Sequence, residues 1–98
     1  MLLTDHEREF LGAFIHEATT DPFKGPATEE LHHRDIYYTD LQHLLAAYYR
    51  DNPRDQQGLG GKRLSTVPPC PWSDRETATR RNQQIGMALE RTNKQAVS

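Results

Sequence analysis

The chain of 98 residues contains a single cysteine and no long apolar segment. Because Cys70 is alone, the sequence excludes an internal disulfide of the kind that stabilises small secreted domains. No apolar stretch approaches the roughly 18 residues that a membrane-spanning helix requires. The first residues also lack the basic stretch followed by an apolar run that marks a secretory signal. We therefore expect a cytoplasmic protein with no membrane partner.

Large aliphatic side chains are scarce. Leu, Ile, Val and Phe together account for 18 of the 98 residues, and the mean hydropathy is −0.88. A share below roughly 20% indicates disorder only when it is combined with a high net charge. The net charge here is −2. The composition therefore predicts a folded protein with a thin hydrophobic core, which favours self-association or a partner protein.

Three capping-box patterns indicate where helices begin. In such a box, a hydroxyl residue at the N-cap is followed three residues later by Glu or Gln, and each side chain bonds the other residue's backbone N–H. The pairs are Thr4 with Glu7, Thr39 with Gln42, and Ser73 with Glu76. Each pair precedes apolar residues at helical spacing. The pattern predicts an all-α fold, a small bundle of three main helices plus one short helix.

The three main helices are predicted over residues 4–19, 39–52 and 73 to about 92 or beyond. The short helix is predicted to begin at Pro26, because proline is favoured at the first helical position, and to end near residue 35. Residues 53–72 hold three glycines and four prolines without helical spacing, which predicts a long loop before the last helix. We interpret residues 1–98 as one helical domain: an acidic helical part (1–52), the loop (53–72), and a basic C-terminal helix and tail (73–98).

Charge is divided unevenly along the chain. Residues 1–51 carry a net charge of −6 and residues 52–98 a net charge of +4. Either the acidic half packs against the basic half, or the basic half faces an anionic partner. The candidate anion-binding residues are Lys62, Arg63, Arg80 and Arg81. They make nucleic-acid association through the C-terminal half an alternative function, although the overall charge of −2 weakens attraction to phosphates.

Histidine and carboxylate pairs suggest a second alternative, a metal-binding helical protein. Glu30 with His33, and Asp40 with His43, stand three residues apart, as in bundles that bind two metal ions, and His16 could complete such a site. These centres also need bridging carboxylates from other long helices, so solvated helix faces explain the same spacing. No motif indicates a cofactor.

Motifs for catalysis are incomplete. His16 begins a zinc-peptidase pattern, but Thr20 stands where the second histidine is required. The glycines before Lys62 lack the first glycine of a phosphate-binding P-loop, because Gln56 occupies its place. Cys70 lies between prolines without a paired base. We therefore expect no catalytic residues.

Adjacent tyrosines suggest a contact surface. On a helix, two neighbouring side chains point about 100° apart, so one can enter the core while the other faces outward. Tyr37 with Tyr38, and Tyr48 with Tyr49, form such pairs. Exposed tyrosines near arginines are typical anchors of protein interfaces. The alternative is that all four tyrosines widen the core. The candidate partner-binding residues are Tyr37, Tyr38, Tyr49, Arg80 and Arg91.

The thin core, the tyrosine pairs and the divided charge lead to one functional hypothesis. We expect a small cytoplasmic interaction or regulatory protein that acts through a helical surface without catalysis. Its partner would be another protein or a second copy of the chain. Nucleic-acid association and metal binding are the alternatives.

Overall fold

The computed structural model describes residues 2–20, 24–54 and 67–97. Four α-helices follow one another: α1 (Asp5–Thr20), α2 (Pro26–His33), α3 (Gln42–Asp51) and α4 (Arg75–Val97). A 3-10 helix, Tyr38–Leu41, leads directly into α3. Within those ranges there is no strand. The prediction of an all-α fold with three main helices and one short helix is confirmed. Of the predicted loop, residues 55–66 lie outside the described part of the chain.

The start of α1 is the capping box that the sequence predicts. Thr4 N–H donates to Glu7 Oε1 at 2.9 Å, and Glu7 N–H donates to Thr4 Oγ1 at 3.1 Å. Asp5 and Glu7 also place negative charge at the positive end of the helix dipole. These groups all lie within four residues, so the local sequence determines where this helix begins.

The other two predicted capping boxes are wrong. Thr39 lies inside the 3-10 helix, whose first N–H groups are bonded differently: Tyr37 N–H donates to Asp40 Oδ2 at 3.4 Å. The N-cap of α4 is Asp74, which accepts a bond from Thr77 N–H at 2.8 Å. Aspartate caps a helix as well as serine does, and the neighbouring aspartate therefore replaces the predicted serine.

The hydrophobic core lies between α1, α3 and α4, and α2 covers one side of α1. Trp72 is buried just before α4, and its ring meets that of Phe10 edge-on with the centroids 5.8 Å apart. Helical spacing predicts a buried face on each of the first two main helices, formed by Phe10, Leu11, Phe14, Ile15 and Ala18, and by Leu41, Leu44, Leu45 and Tyr48. All of these side chains are buried except that of Ala18, which is half-buried. The largest fully buried side chains are Phe10, Leu11, Ile36, Leu41, Leu44 and Ile85.

Helix α4 extends beyond the core. Helical spacing predicts that Ala78, Ile85, Ala88, Leu89 and Thr92 share one face of α4. Ala78 and Ile85 are buried, whereas Ala88 and Leu89 are half-buried and Thr92 is exposed. The prediction that Thr92 continues the buried face is wrong because α3, against which α4 packs, is much shorter. At about 1.5 Å per residue, α4 is about 34 Å long and α3 about 15 Å.

A side chain from α1 caps the start of α2. Glu17 Oε1 accepts a bond from Ala27 N–H at 2.8 Å, and Glu17 Oε2 accepts one from Thr28 N–H at 3.1 Å. Gly25, just before α2, has a φ of 136°, which side chains rarely adopt. A Cβ at this position would lie 2.5 Å from the carboxyl carbon of Glu17. Glycine therefore allows the carboxylate to reach the helix start.

Candidate interaction surface

Two adjacent tyrosines are exposed where the 3-10 helix begins. Tyr37 is 47% exposed and Tyr38 is 53% exposed, whereas Ile36 immediately before them is fully buried. The buried isoleucine anchors this segment, so the tyrosines are held at the surface rather than at the end of a free loop. Contiguous exposed aromatic surface is a feature of interaction sites. We define the tyrosine patch as Tyr37, Tyr38 and the neighbouring Arg75.

Arg75, at the start of α4, joins the patch through two contacts. Its Cζ lies 5.6 Å from the centroid of the Tyr37 ring, within range for attraction between a cation and an aromatic face. Its Nε lies 3.1 Å from Asp40 Oδ2, the same oxygen that accepts the Tyr37 N–H. His32 of α2 also lies near Tyr37, with the ring centroids 6.3 Å apart. The patch therefore combines side chains from the start of the 3-10 helix and from α4, and α2 borders it through His32.

A buried amide supports the patch from beneath. Asn82 of α4 is 8% exposed, and its Nδ2 donates to the backbone carbonyl of Asp40. Its Oδ1 accepts bonds from His43 N–H at 2.9 Å and from Leu44 N–H at 3.2 Å. Two otherwise unpaired N–H groups at the start of α3 are thereby satisfied. Asn82 thus fixes the 3-10 helix, α3 and α4 relative to one another.

The other predicted partner-binding residues lie elsewhere. Tyr49 is half-buried and packs against the core, with its ring centroid 6.0 Å from that of the buried Tyr48. Both rings of this pair therefore contribute to the core, which fits the alternative that the tyrosines widen it. Arg80 and Arg91 are both exposed on α4.

The predicted anion-binding residues do not form one described cluster. Lys62 and Arg63 lie outside the described residues. Arg80 pairs with Glu76 of the preceding turn at 3.3 Å. Arg81 points inward, where its Nε lies 3.0 Å from Glu7 Oε2 and its Nη2 donates to the carbonyl of Leu2. Arg81 is therefore occupied by an internal carboxylate.

Glu7 is the centre of a buried polar cluster that sequence reasoning missed. It is 3% exposed, and besides its bonds to Arg81 it accepts one from Trp72 Nε1–H at 3.1 Å. Burial raises the pKa of Glu7. Hydrogen bonds from Arg81, Thr4 and Trp72, together with the charge of Arg81, outweigh burial and hold the pKa below its ordinary value. The sequence shows Glu7 as a capping residue, but not the partners 65 and 74 residues away.

The ion pairs resolve the two interpretations of the divided charge. Glu7 with Arg81, and Asp40 with Arg75, each join a residue of the acidic half to one of the basic half. The acidic half therefore packs against the basic half, as the first interpretation predicts. These pairs use two of the basic side chains that an anionic partner would need.

Several of the predicted metal ligands make other contacts. Glu30 and His33 line a cleft beside Val67 and the prolines that follow it, and Glu30 pairs with Arg34 at 2.5 Å. Asp40 pairs with Arg75. The ring of His43 lies against Gly86, where a Cβ would be 3.0 Å away, and His16 lies on α1. Among the described residues, no three or more His, Cys, Asp or Glu are grouped so that they could hold a metal ion.

Cys70 is half-buried, and its thiol donates to the carbonyl oxygen of Trp72 at 3.4 Å. Burial raises the pKa of the thiol. The nucleophilic thiolate is therefore disfavoured at neutral pH. In this setting the cysteine is a poor nucleophile.

Sequence reasoning identified Tyr37 and Tyr38 but missed the residues that hold them. Arg75 and Asp40 were not connected to each other, and Asn82 was not singled out. A polar residue at position 82, between the apolar Ala78 and Ile85 of the buried face of α4, was the available signal for a buried amide.

Comparison of the chain with protein families, with curated proteins and with solved structures finds no match in any of the three. Over the residues that the structure describes, every helix is too short or too polar to cross a membrane.

Proposed function

We propose that this protein is a small interaction or regulatory domain whose binding site for another protein is the tyrosine patch. The single observation that carries the proposal is the joint exposure of Tyr37 and Tyr38 beside Arg75. Tyrosine and arginine are the residue types that most often carry binding energy at protein interfaces. Tyrosine supplies a large contact area while losing little conformational freedom, because it has only two side-chain torsions.

The support beneath the patch strengthens the proposal. Asp40 holds both the Tyr37 backbone and the Arg75 side chain, and Asn82 holds Asp40. A surface ordered before binding loses less entropy when a partner docks, so more of the contact energy remains as affinity. An aromatic pair that served only to fill the core would not be half exposed.

Nucleic-acid association is the weaker alternative. Arg75, Arg80 and Arg81 each pair with a carboxylate, and the carboxylate partner of Arg81 is buried. Phosphates would have to compete with these carboxylates for the arginines, and the chain as a whole is negatively charged.

Affinity capture from the organism that encodes the chain tests the proposal. The bait is the full chain, used as wild type and as the double variant Tyr37→Ala/Tyr38→Ala, at about 0.1 M and 0.5 M salt. We expect a protein that the wild type retains at both salt concentrations and that the double variant loses by at least about tenfold, since interface anchors contribute about 2 kcal/mol or more each.

The matched control is His6→Ala, which removes an exposed aromatic ring from α1, outside the tyrosine patch. Circular dichroism establishes that each bait is folded. Equal capture by the wild type and the tyrosine variant contradicts the proposal. Nucleic acid that co-purifies at low salt and is lost at high salt would favour the alternative.

A further inference from the structure

We propose that this chain forms a homodimer through the outward face of α4, with two copies of the helix packed antiparallel across a two-fold axis. This surface is distinct from the tyrosine patch, so the inference does not depend on the proposed function. Isologous contacts of this kind require a surface that is complementary to itself. The outward face of α4 has that property.

Five exposed residues define the face: Glu76, Arg80, Gln84, Met87 and Arg91. At about 100° per residue they lie within an arc of about 80° on the helix. Met87 is 59% exposed. In the described part of the chain, the other exposed large apolar side chains are Tyr37 and Tyr38. The face therefore has one apolar anchor near its middle, with charged side chains on both sides.

Antiparallel packing centred between Gln83 and Gln84 makes the charges complementary. In this register Glu76 of each copy lies opposite Arg91 of the other, and this contact occurs twice. Arg80 of each copy lies opposite Met87 of the other. The centre then brings together the amide side chains of the two copies, which can donate and accept hydrogen bonds.

Each of these contacts is favourable on chemical grounds. The methylene stem of Arg80 can cover the Met87 side chain of the second copy while its guanidinium stays in water. Glu76 already pairs with Arg80 of its own helix at 3.3 Å. In the dimer, Glu76 would lie between Arg80 of its own helix and Arg91 of the second copy. A register that placed like charges opposite one another would lose this attraction.

The proposed interface is small, because each copy contributes one helix face and one methionine. Interfaces of this kind are weak and transient. We expect a dissociation constant on the order of tens of micromolar, so the dimer should separate into monomers on dilution.

Sedimentation equilibrium of the full chain between about 5 and 500 µM tests the proposal by charge reversal. Glu76→Arg and Arg91→Glu each place like charges opposite one another at two related contacts. We expect each single variant to weaken dimerisation about tenfold or more, because two symmetric pairs change from attraction to repulsion. The double variant Glu76→Arg/Arg91→Glu restores opposite charges and should recover most of the wild-type association.

Two variants with the same charge changes elsewhere serve as controls. Glu29→Arg on α2 and Arg50→Glu on α3 are exposed and outside the face, and they should leave dimerisation unchanged. Circular dichroism confirms that every variant is folded. Raising the salt concentration from 0.05 M to 0.5 M should weaken the wild-type dimer, because the paired charges are exposed.

Three results would overturn the proposal. One is a wild-type chain that stays monomeric at 500 µM. Another is a dimer that neither single variant weakens. The third is a double variant that associates no better than the single variants, since recovery depends on the two positions facing each other.

Discussion

Replacement of Glu7 by glutamine should destabilise the fold strongly, although the two side chains have nearly the same shape. Glu7 accepts bonds from Thr4 N–H, Trp72 Nε1–H and two nitrogens of Arg81, at 2.9 to 3.2 Å. In glutamine one acceptor oxygen becomes an NH₂ group, which cannot accept a bond. The variant therefore tests charge and acceptor capacity without changing the packing volume.

The expected loss follows from the burial of the cluster. Removing one partner of a fully buried ion pair costs about 3–5 kcal/mol. Arg81 is 28% exposed and can recover part of its hydration, so we expect Glu7→Gln to lower the free energy of unfolding by about 2–3 kcal/mol. For a domain of this size that corresponds to a melting temperature lower by about 8–24 °C.

Urea unfolding followed by far-UV circular dichroism measures this loss. Arg81→Met and the double variant Glu7→Gln/Arg81→Met complete a thermodynamic cycle. We expect a coupling energy of about 1 kcal/mol or more between the two positions. A loss below about 0.5 kcal/mol for Glu7→Gln, the level of an ordinary surface substitution, would show that the buried carboxylate does not stabilise the fold. Additive effects of the two single variants would refute the direct coupling.

Three further predictions concern pH and backbone contacts. The pKa of Glu7 is lower in the folded chain than in the unfolded chain, so its contribution is complete above about pH 4.3 and is lost as the pH falls through the folded pKa. Acid unfolding curves should therefore show the stability difference between wild type and Glu7→Gln narrowing below that pH, and a constant difference would contradict the shift. Asn82→Ala should lower the free energy of unfolding in urea by about 2–3 kcal/mol, because it leaves two N–H groups at the start of α3 and one carbonyl unpaired. A loss under about 1 kcal/mol would contradict this role. Gly25→Ala should lower the free energy of unfolding by about 1–3 kcal/mol, because the φ of 136° and the nearby Glu17 carboxylate both oppose a Cβ. A thermal melt measures the loss, and an unchanged melting temperature would contradict this prediction.

Features that depend on neighbouring residues could be predicted from the sequence. The capping box at Thr4 and Glu7, proline at the first position of α2 and the apolar stripe of α3 are all formed within a few residues, and all are present. The same local reasoning failed at Ser73, because it could not rank that serine against the adjacent Asp74.

Features that depend on distant residues could not be predicted. The start of α3 is capped by Asn82, 38 and 39 residues away along the chain, and the start of α2 by Glu17. A single sequence shows which residues can cap a helix, but not which helix they reach in the folded chain. The same limit explains Arg81, whose exposed neighbour Arg80 has the same charge and the opposite orientation.

The candidate site was predictable only in part. Adjacent tyrosines at positions 37 and 38 are candidate contact residues from the sequence, and both are exposed. Helical spacing alone allows one ring of such a pair to enter the core, so it does not predict that both lie at the surface. The roles of Arg75 and Asp40 depend on the packing of α4 beside the 3-10 helix, which brings together residues 35 positions apart.

Photo-crosslinking from position 38 in the native organism tests whether the tyrosine patch contacts a protein partner. A photoreactive phenylalanine analogue replaces Tyr38 in the full chain, and the same analogue at exposed Thr92 provides the control. We expect a discrete adduct with one protein from position 38 that is absent from position 92. No adduct from position 38, or the same adducts from both positions, would contradict the claim that the tyrosine patch is a protein-binding site.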